Sequence, residues 1–301
     1  MSRSLRLPPP LAPGARIALL SPAGPLTDAA DLARAEQNAR ALGWDPVVFP
    51  SALTRLGYLA GVDSARLADL NAAIRDPDID GIWCIRGGYG TMRLLEEIDY
   101  DTLAKAPKAL IGYSDITALH CAIRARSKLG SFHGPNARGE LRPFSRDSLL
   151  RAVRRDGDPF AGAPPFPMCR EGSATGQLVG GNLALLCALM GTPYAAHFDG
   201  AILFIEDVSE PLYRIDRMLH QLILSGALSR VAGLCIGSFT ERGDETSDAP
   251  RSLDVLFEEV AAHVRGPVAV GAPIGHLAEQ WTLPLGARAE LSARGLTLVS
   301  D

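Results

Sequence analysis

Short apolar runs that alternate with helical patterns through the first half of the chain constrain its fold more than any other feature. RIALL at 16–20 runs into the turn SPAG. Residues 31–42 carry apolar side chains at helical spacing, and Gly43 follows as a stop signal. DPVVFP reads as a second strand, and 63–74 as a helix with Leu67, Leu70 and Ile74 on one face. GIWCIRGG is a third strand that runs into glycines, and a helix begins at Thr91. KALIGYSD is a fourth strand, and 116–127 is helical again. This alternation predicts βαβ units and a parallel sheet. Such sheets hold their ligands at the C-terminal ends of the strands.

The stretch from about 136 to 175 changes character. It holds RPFSRD and DGDPFAGAPPFPM, concentrates proline and glycine, and reads as a linker. Order returns with GQLVGGN, a helix over 183–190, the strand AILFIED, a helix over 212–224 and the strand GLCIGSF. A helix over 252–264, the strand and turn VAVGAPIGH, and hairpin-like runs (WTLPLG, ARAELSA, LTLVS) complete it. The fold class is α/β. A Rossmann-like or flavodoxin-like parallel-sheet domain is expected over 1–135, an interdomain linker over 136–175, and a C-terminal α/β domain with a β-rich sheet over 176–301.

Composition excludes several function classes. The 301 residues suffice for a full core, and 47% are hydrophobic and 21% charged, as in a globular protein. The formal net charge of −4 and the absence of a basic stripe argue against a nucleic-acid partner. No window nears the roughly 18 apolar residues that span a bilayer, and the N-terminus MSRSLRLPPP lacks an apolar signal core. A cytoplasmic protein with no membrane partner is expected. Cys84, Cys121, Cys169, Cys187 and Cys235 form no CxxC pair and read as buried free thiols.

ALIGYSDITALH, over 109–120, joins a buried strand to a helix at Gly112-Tyr113-Ser114-Asp115. This is the layout of a nucleophile elbow, although Ile116 stands where the second glycine of G-x-S-x-G would be. The bland alternative is that Ser114 simply caps the helix. IRGGYGT, over 85–91, fits neither a dinucleotide fingerprint nor a P-loop. Its glycines would let backbone N–H groups approach a ligand, so Gly88 and Asp115 are the candidate oxyanion donors. A serine nucleophile needs a base and an orienting acid. Of six histidines, His133 and His276 both follow apolar strands and either could face a cleft; His120, two turns along the helix, would point away. AILFIED ends in Glu206 and Asp207, and strand alternation alone does not say which serves. No H-E-x-x-H or similar spacing calls for a metal, and no cofactor is implied.

IRGGYG, LIGYSDITALH, FHGP, VGGNLALL, LFIEDVSEPLYRIDRMLHQL and PIGH occur in this order. Together they resemble the LD-carboxypeptidase family of serine peptidases, which also includes the microcin-C immunity proteins. The resemblance covers the chain from Ser21 to Gly286 and lies closer to the murein tetrapeptidase branch. It implies Ser114 as nucleophile, Glu206 as acid and His276 as base, with the active site between the two domains. It also implies a homodimer in peptidoglycan recycling, acting on muropeptide tetrapeptides to release the terminal D-Ala. Arg86, Tyr89 and Arg214 are the candidate substrate contacts, with either arginine suited to a terminal carboxylate. Competing readings are a peptidase that cleaves an aminoacyl-nucleotide antibiotic, a non-catalytic two-lobed binding protein and a nucleotide-dependent oxidoreductase. Trp44, Trp83 and Trp281 read as core or strand-flank residues rather than as a stacking platform.

Overall fold

The computed structural model describes residues 5–163, 166–241 and 252–299. Parts of the N-terminal stretch (1–4), of the proline-rich stretch (164–165) and of the C-terminus (300–301) discussed above lie outside the described residues.

In chain order the first half forms β1 (Arg16–Leu20), α1 (Ala29–Ala41), β2 (Asp45–Val48), α2 (Asp63–Arg75), β3 (Gly81–Cys84), α3 (Tyr100–Lys105), β4 (Ala109–Gly112), α4 (Thr117–Ser127), β5 (Ser131–His133) and α5 (Pro143–Arg154). There follow β6 (Met168–Arg170), β7 (Ser173–Asn182), α6 (Leu183–Ala188), β8 (Ile202–Glu210), α7 (Leu212–Leu224), α8 (Ala227–Arg230) and β9 (Gly233–Glu241). The last elements are α9 (Leu253–Ala261), β10 (Val268–Val270), β11 (Leu283–Leu285), β12 (Arg288–Ser292) and β13 (Gly295–Leu298).

Two sheets result. The first runs β11-β5-β4-β3-β1-β2, and its five N-terminal strands are parallel. The order 2-1-3-4-5 is flavodoxin-like, and its crevice lies where the order reverses, between β1 and β3. The second runs β13-β12-β7-β8-β9-β10-β6, with a parallel centre of β7, β8, β9 and β10 and antiparallel edges. β3 and β4 are buried at every position, which explains why they read as unbroken apolar runs rather than alternating ones. α4 packs against α3 and β5 and, on its other side, against α6 and β7. Its buried apolar residues join one core cluster that extends from Ala18 to Val268.

Three departures from the sequence reading have physical causes. The stretch 136–175 is not irregular throughout: it contains α5, and β6 joins the second sheet at its edge beside β10. The inner face of α5 escapes a periodicity search because two of its buried positions are Ser145 and Ser148. Their hydroxyls accept the N–H groups of Gln280 and Thr282, both at 2.8 Å. β11, read as part of a terminal hairpin, instead pairs antiparallel with β5 of the first sheet, while β12 and β13 do form a hairpin. Cys169 is exposed; the other four cysteines are buried, and burial pushes the thiols of Cys121 and Cys235 up to about 12. Trp44, Trp83 and Trp281 are all buried. Among the described residues no helix is long and apolar enough to cross a membrane.

Candidate active site

β4 delivers Ser114 into a single 3-10 turn (Ser114–Ile116) before α4 begins. Ser114 has φ 66°, in the left-handed region that non-glycine residues enter rarely and at a cost of about 1–3 kcal/mol. The strain tips the side chain out of the sheet and into a cleft. Gly87 lies directly against it: a Cβ at Gly87 would stand 2.8 Å from the Ser114 Cβ, so no larger residue fits.

The glycine turn is held from two sides. Asp115 accepts from the Thr91 N–H at 2.8 Å and from the Thr91 hydroxyl at 2.7 Å. Burial raises the Asp115 pKa, and the Thr91 bonds oppose that rise. Arg66, fully buried, donates to the carbonyl oxygens of Pro22 and Gly90 and pairs with Asp63. The two turns at the C-terminal ends of β1 and β3 are thereby joined, and the Gly24 N–H also donates to the Gly87 carbonyl at 3.0 Å. Gly88 faces the cleft from this turn.

The second sheet contributes two adjacent acids with different surroundings. Glu206 is fully buried, and its Oε2 lies 2.8 Å from Nδ1 of His276. Asp207 turns instead to α6. It accepts from Asn182 Nδ2 at 2.8 Å, the Ala184 N–H at 3.0 Å and the Val208 N–H at 2.9 Å. Burial pushes Asp207 up to about 6, against the pull of the hydrogen bonds that it accepts. Gly275, at φ 98°, precedes His276, and a Cβ there would meet Glu206 Oε2 at 2.5 Å. A carboxylate at Nδ1–H leaves Nε2 as the acceptor. The imidazole rests on Tyr113, ring centroids 4.7 Å apart, and borders the same cleft as Ser114.

The other histidine left open by the sequence, His133, does not reach the cleft. It is fully buried among Tyr113, His120 and Phe204, neither ring nitrogen has a partner, and burial holds its pKa well below the usual value. His120 points inward, not away: its ring nitrogens lie 2.9 Å from the Gly112 carbonyl and 2.8 Å from Ser131 Oγ.

The cleft encloses about 560 Å³ between the two sheets. Besides Ser114 and His276 it is lined by Arg34, Arg86 and Arg138. Of the substrate candidates, only Arg86 borders it. Arg214 is exposed and paired with Glu210 at 3.0 Å, and Tyr89 lies edge-on to Tyr58 at the surface. The sequence reading missed Arg34, Asn136, Arg138 and Gln280. Two of these, Asn136 and Arg138, lie on the stretch taken for a linker, and the signal available for them was the polar run PNARGE that overlaps the end of the FHGP motif. Among the described residues no cluster of His, Cys, Asp and Glu could hold a metal ion.

The LD-carboxypeptidase N-terminal domain pattern matches residues 17–134, and the C-terminal domain pattern matches 175–291. The murein tetrapeptide carboxypeptidase of Pseudomonas aeruginosa is 36% identical over 294 residues, covering 93% of this chain and 94% of that protein. Among solved structures, the muramoyltetrapeptide carboxypeptidase of Oxalobacter formigenes superposes with a TM-score of 0.81 at 30% identity, covering 95% of this chain and 99% of that one. The microcin C7 self-immunity protein MccF superposes with a TM-score of 0.88 at 25% identity, covering 98% of each chain. The chain therefore belongs to the LD-carboxypeptidase family and is a serine-type carboxypeptidase.

Proposed function

We propose that this chain is a muramoyltetrapeptide LD-carboxypeptidase that uses Ser114, His276 and Glu206 as its catalytic triad and releases the terminal D-Ala from murein tetrapeptides. One arrangement carries the reading: a strained Ser114 opens onto the cleft that also holds His276, and the far nitrogen of that imidazole is bound by a fully buried carboxylate at 2.8 Å. His276 Nε2 takes the proton from Ser114 Oγ as the oxygen attacks the scissile carbonyl. Glu206 fixes the tautomer and stabilises the imidazolium that forms. The N–H groups of Gly88 and Asp115 receive the developing oxyanion. His276 then protonates the leaving amine, and water, deprotonated by the same imidazole, releases the acyl group. The substrate class follows relatives named for murein tetrapeptide, and with it a place in peptidoglycan recycling.

The MccF likeness, with that protein solved in complex with aspartyl sulfamoyl adenosine, supports a second reading as a peptidase for aminoacyl-nucleotide conjugates. Trp281 weighs against it: the indole is buried against Phe160 and Phe166 and offers no stacking face to the cleft. Mass spectrometry after incubation with muropeptide tetrapeptide tests the first reading, with loss of one alanine expected from wild type and none from Ser114→Ala. Intact tetrapeptide beside cleaved aminoacyl sulfamoyl adenosine would establish the second. The implied homodimer is checked by light scattering of the purified protein.

A further inference from the structure

The cleft that holds Ser114 carries more positive charge than its neighbours balance. Arg34, Arg86 and Arg138 line it, and Glu140 is the single carboxylate among the lining residues. Glu140 turns to Arg142 at 3.5 Å. Arg138 is held in place: Asp31 lies 3.2 Å from its guanidinium, and Asn38 Nδ2 donates to the carbonyls of Ala137 and Gly139 at 2.7 and 2.8 Å. Asp31, Arg34 and Asn38 all lie on α1, spaced to grip one loop. Asp31 is buried, which works to raise its pKa, yet Arg138 and Thr27 bring it below the usual carboxylate value. It is therefore a committed anion that Arg138, at 3.2 Å, shares with Arg34, at 3.6 Å.

Arg86 has no such partner. Among the described residues no carboxylate lies within 4.0 Å of its guanidinium. Its one hydrogen bond, to the Pro25 carbonyl, uses Nη1. Burial and the neighbouring Arg138 lower its pKa, and Asp31, which pairs with Arg138 instead, offsets them only in part. It adjoins Gly87 and Gly88, with its Nε 3.9 Å from where a Cβ at Gly88 would stand, and lines the same cleft as Ser114.

We infer that Arg86, with Arg138 beside it, forms the subsite for the free terminal carboxylate of the peptide, and that Asp31 is a positioning residue that holds Arg138 there. This rests on the peptidase reading above and adds what makes the site an exopeptidase site. A planar guanidinium binds a carboxylate by two parallel N–H bonds, and the half-buried position of Arg86 strengthens them. A peptide amidated at its C-terminus, or extended by one residue, would bring no anion to this point.

The test measures binding apart from turnover. In a Ser114→Ala background, calorimetry compares the tetrapeptide with its C-terminal carboxamide. The acid is expected to bind about 10- to 100-fold tighter, as charge-assisted bonds of this kind imply. Arg86→Gln should abolish that preference, while Arg86→Lys, which keeps the charge without the fork, should retain part of it. In the otherwise wild-type enzyme, Asp31→Asn should raise KM for the acid and leave kcat unchanged; a merely structural defect would lower kcat as well. Equal binding of acid and carboxamide, a preference that survives Arg86→Gln, or no binding of either peptide overturns the subsite. A serine-directed probe on wild type separates the two failures: labelling at Ser114 with no acid preference leaves the peptidase standing, and absent labelling with absent alanine release removes it.

Discussion

The two sheets build their shares of the cleft by different means. The first presents Ser114 through backbone geometry: a left-handed turn, a glycine pressed against the side chain and a pinned loop. The second presents Glu206 and His276 through side-chain chemistry: a buried carboxylate, one 2.8 Å bond and an aromatic floor. Shape errors should therefore dominate damage on the first side, and charge errors damage on the second. The buried titratable groups differ too. Behind Ser114 lie His120 and His133, both held neutral by burial. Beside Glu206 lies Asp207, whose burial favours the protonated acid.

The largest expected effect tests whether the sides share one reaction. Ser114→Ala should cost about 10⁶-fold in kcat, as loss of a triad nucleophile does elsewhere, and steady-state release of D-Ala measures it. Glu206→Gln should cost about 10⁴-fold with the fold intact, because the amide leaves the imidazole in the wrong tautomer. Retention of more than a tenth of the activity would show that the second side does not act through charge. Gly87→Ala should cost about 10²-fold by displacing Ser114, and its pH–rate profile should keep the wild-type shape. Gly275→Ala, which intrudes on the carboxylate, should shift that profile. Identical profiles for the two glycine variants would erase the contrast.

The smallest effect concerns stability and carries opposite signs on the two sides. His120 is pushed down to about 4 from 6.5, and His133 well below 6.5, so the unfolded chain binds more protons than the folded one in this window. Stability from these groups is present above pH 6.5 and is lost as pH falls towards 4. Asp207 is raised from 3.8 to about 6, so its contribution is present below 3.8 and is lost as pH rises through 6. Denaturant midpoints from pH 4 to 7 should show His133→Phe gaining on wild type as the solution is acidified. Asp207→Asn should gain on it as the solution is made neutral. The same slope for both variants would contradict the burial argument.

Much of this was legible in the sequence where local rules suffice. Continuous apolar runs ending in glycine announced the parallel strands, and the GYSD junction announced the turn at Ser114. Which of Glu206 and Asp207 faces His276 was not legible from alternation, because pairing of β8 with β9 shifts register between Ile205 and Asp207. The arginine wall was hidden for another reason. Arg34 and Arg138 are 104 residues apart, and only packing of α1 against the loop after β5 brings them together. Helix α5 was missed because serines that accept backbone N–H groups occupy part of its inner face.

β11 joins the first sheet, yet its chain neighbours Trp281 and Ala289 belong to the core of the second. The first sheet is thus completed by main chain from the C-terminal half. The two halves are therefore joined by ladder pairing between β11 and β5 as well as by the chain that links them. Cut apart near the middle, the N-terminal fragment would leave β5 as a raw edge waiting for its missing strand.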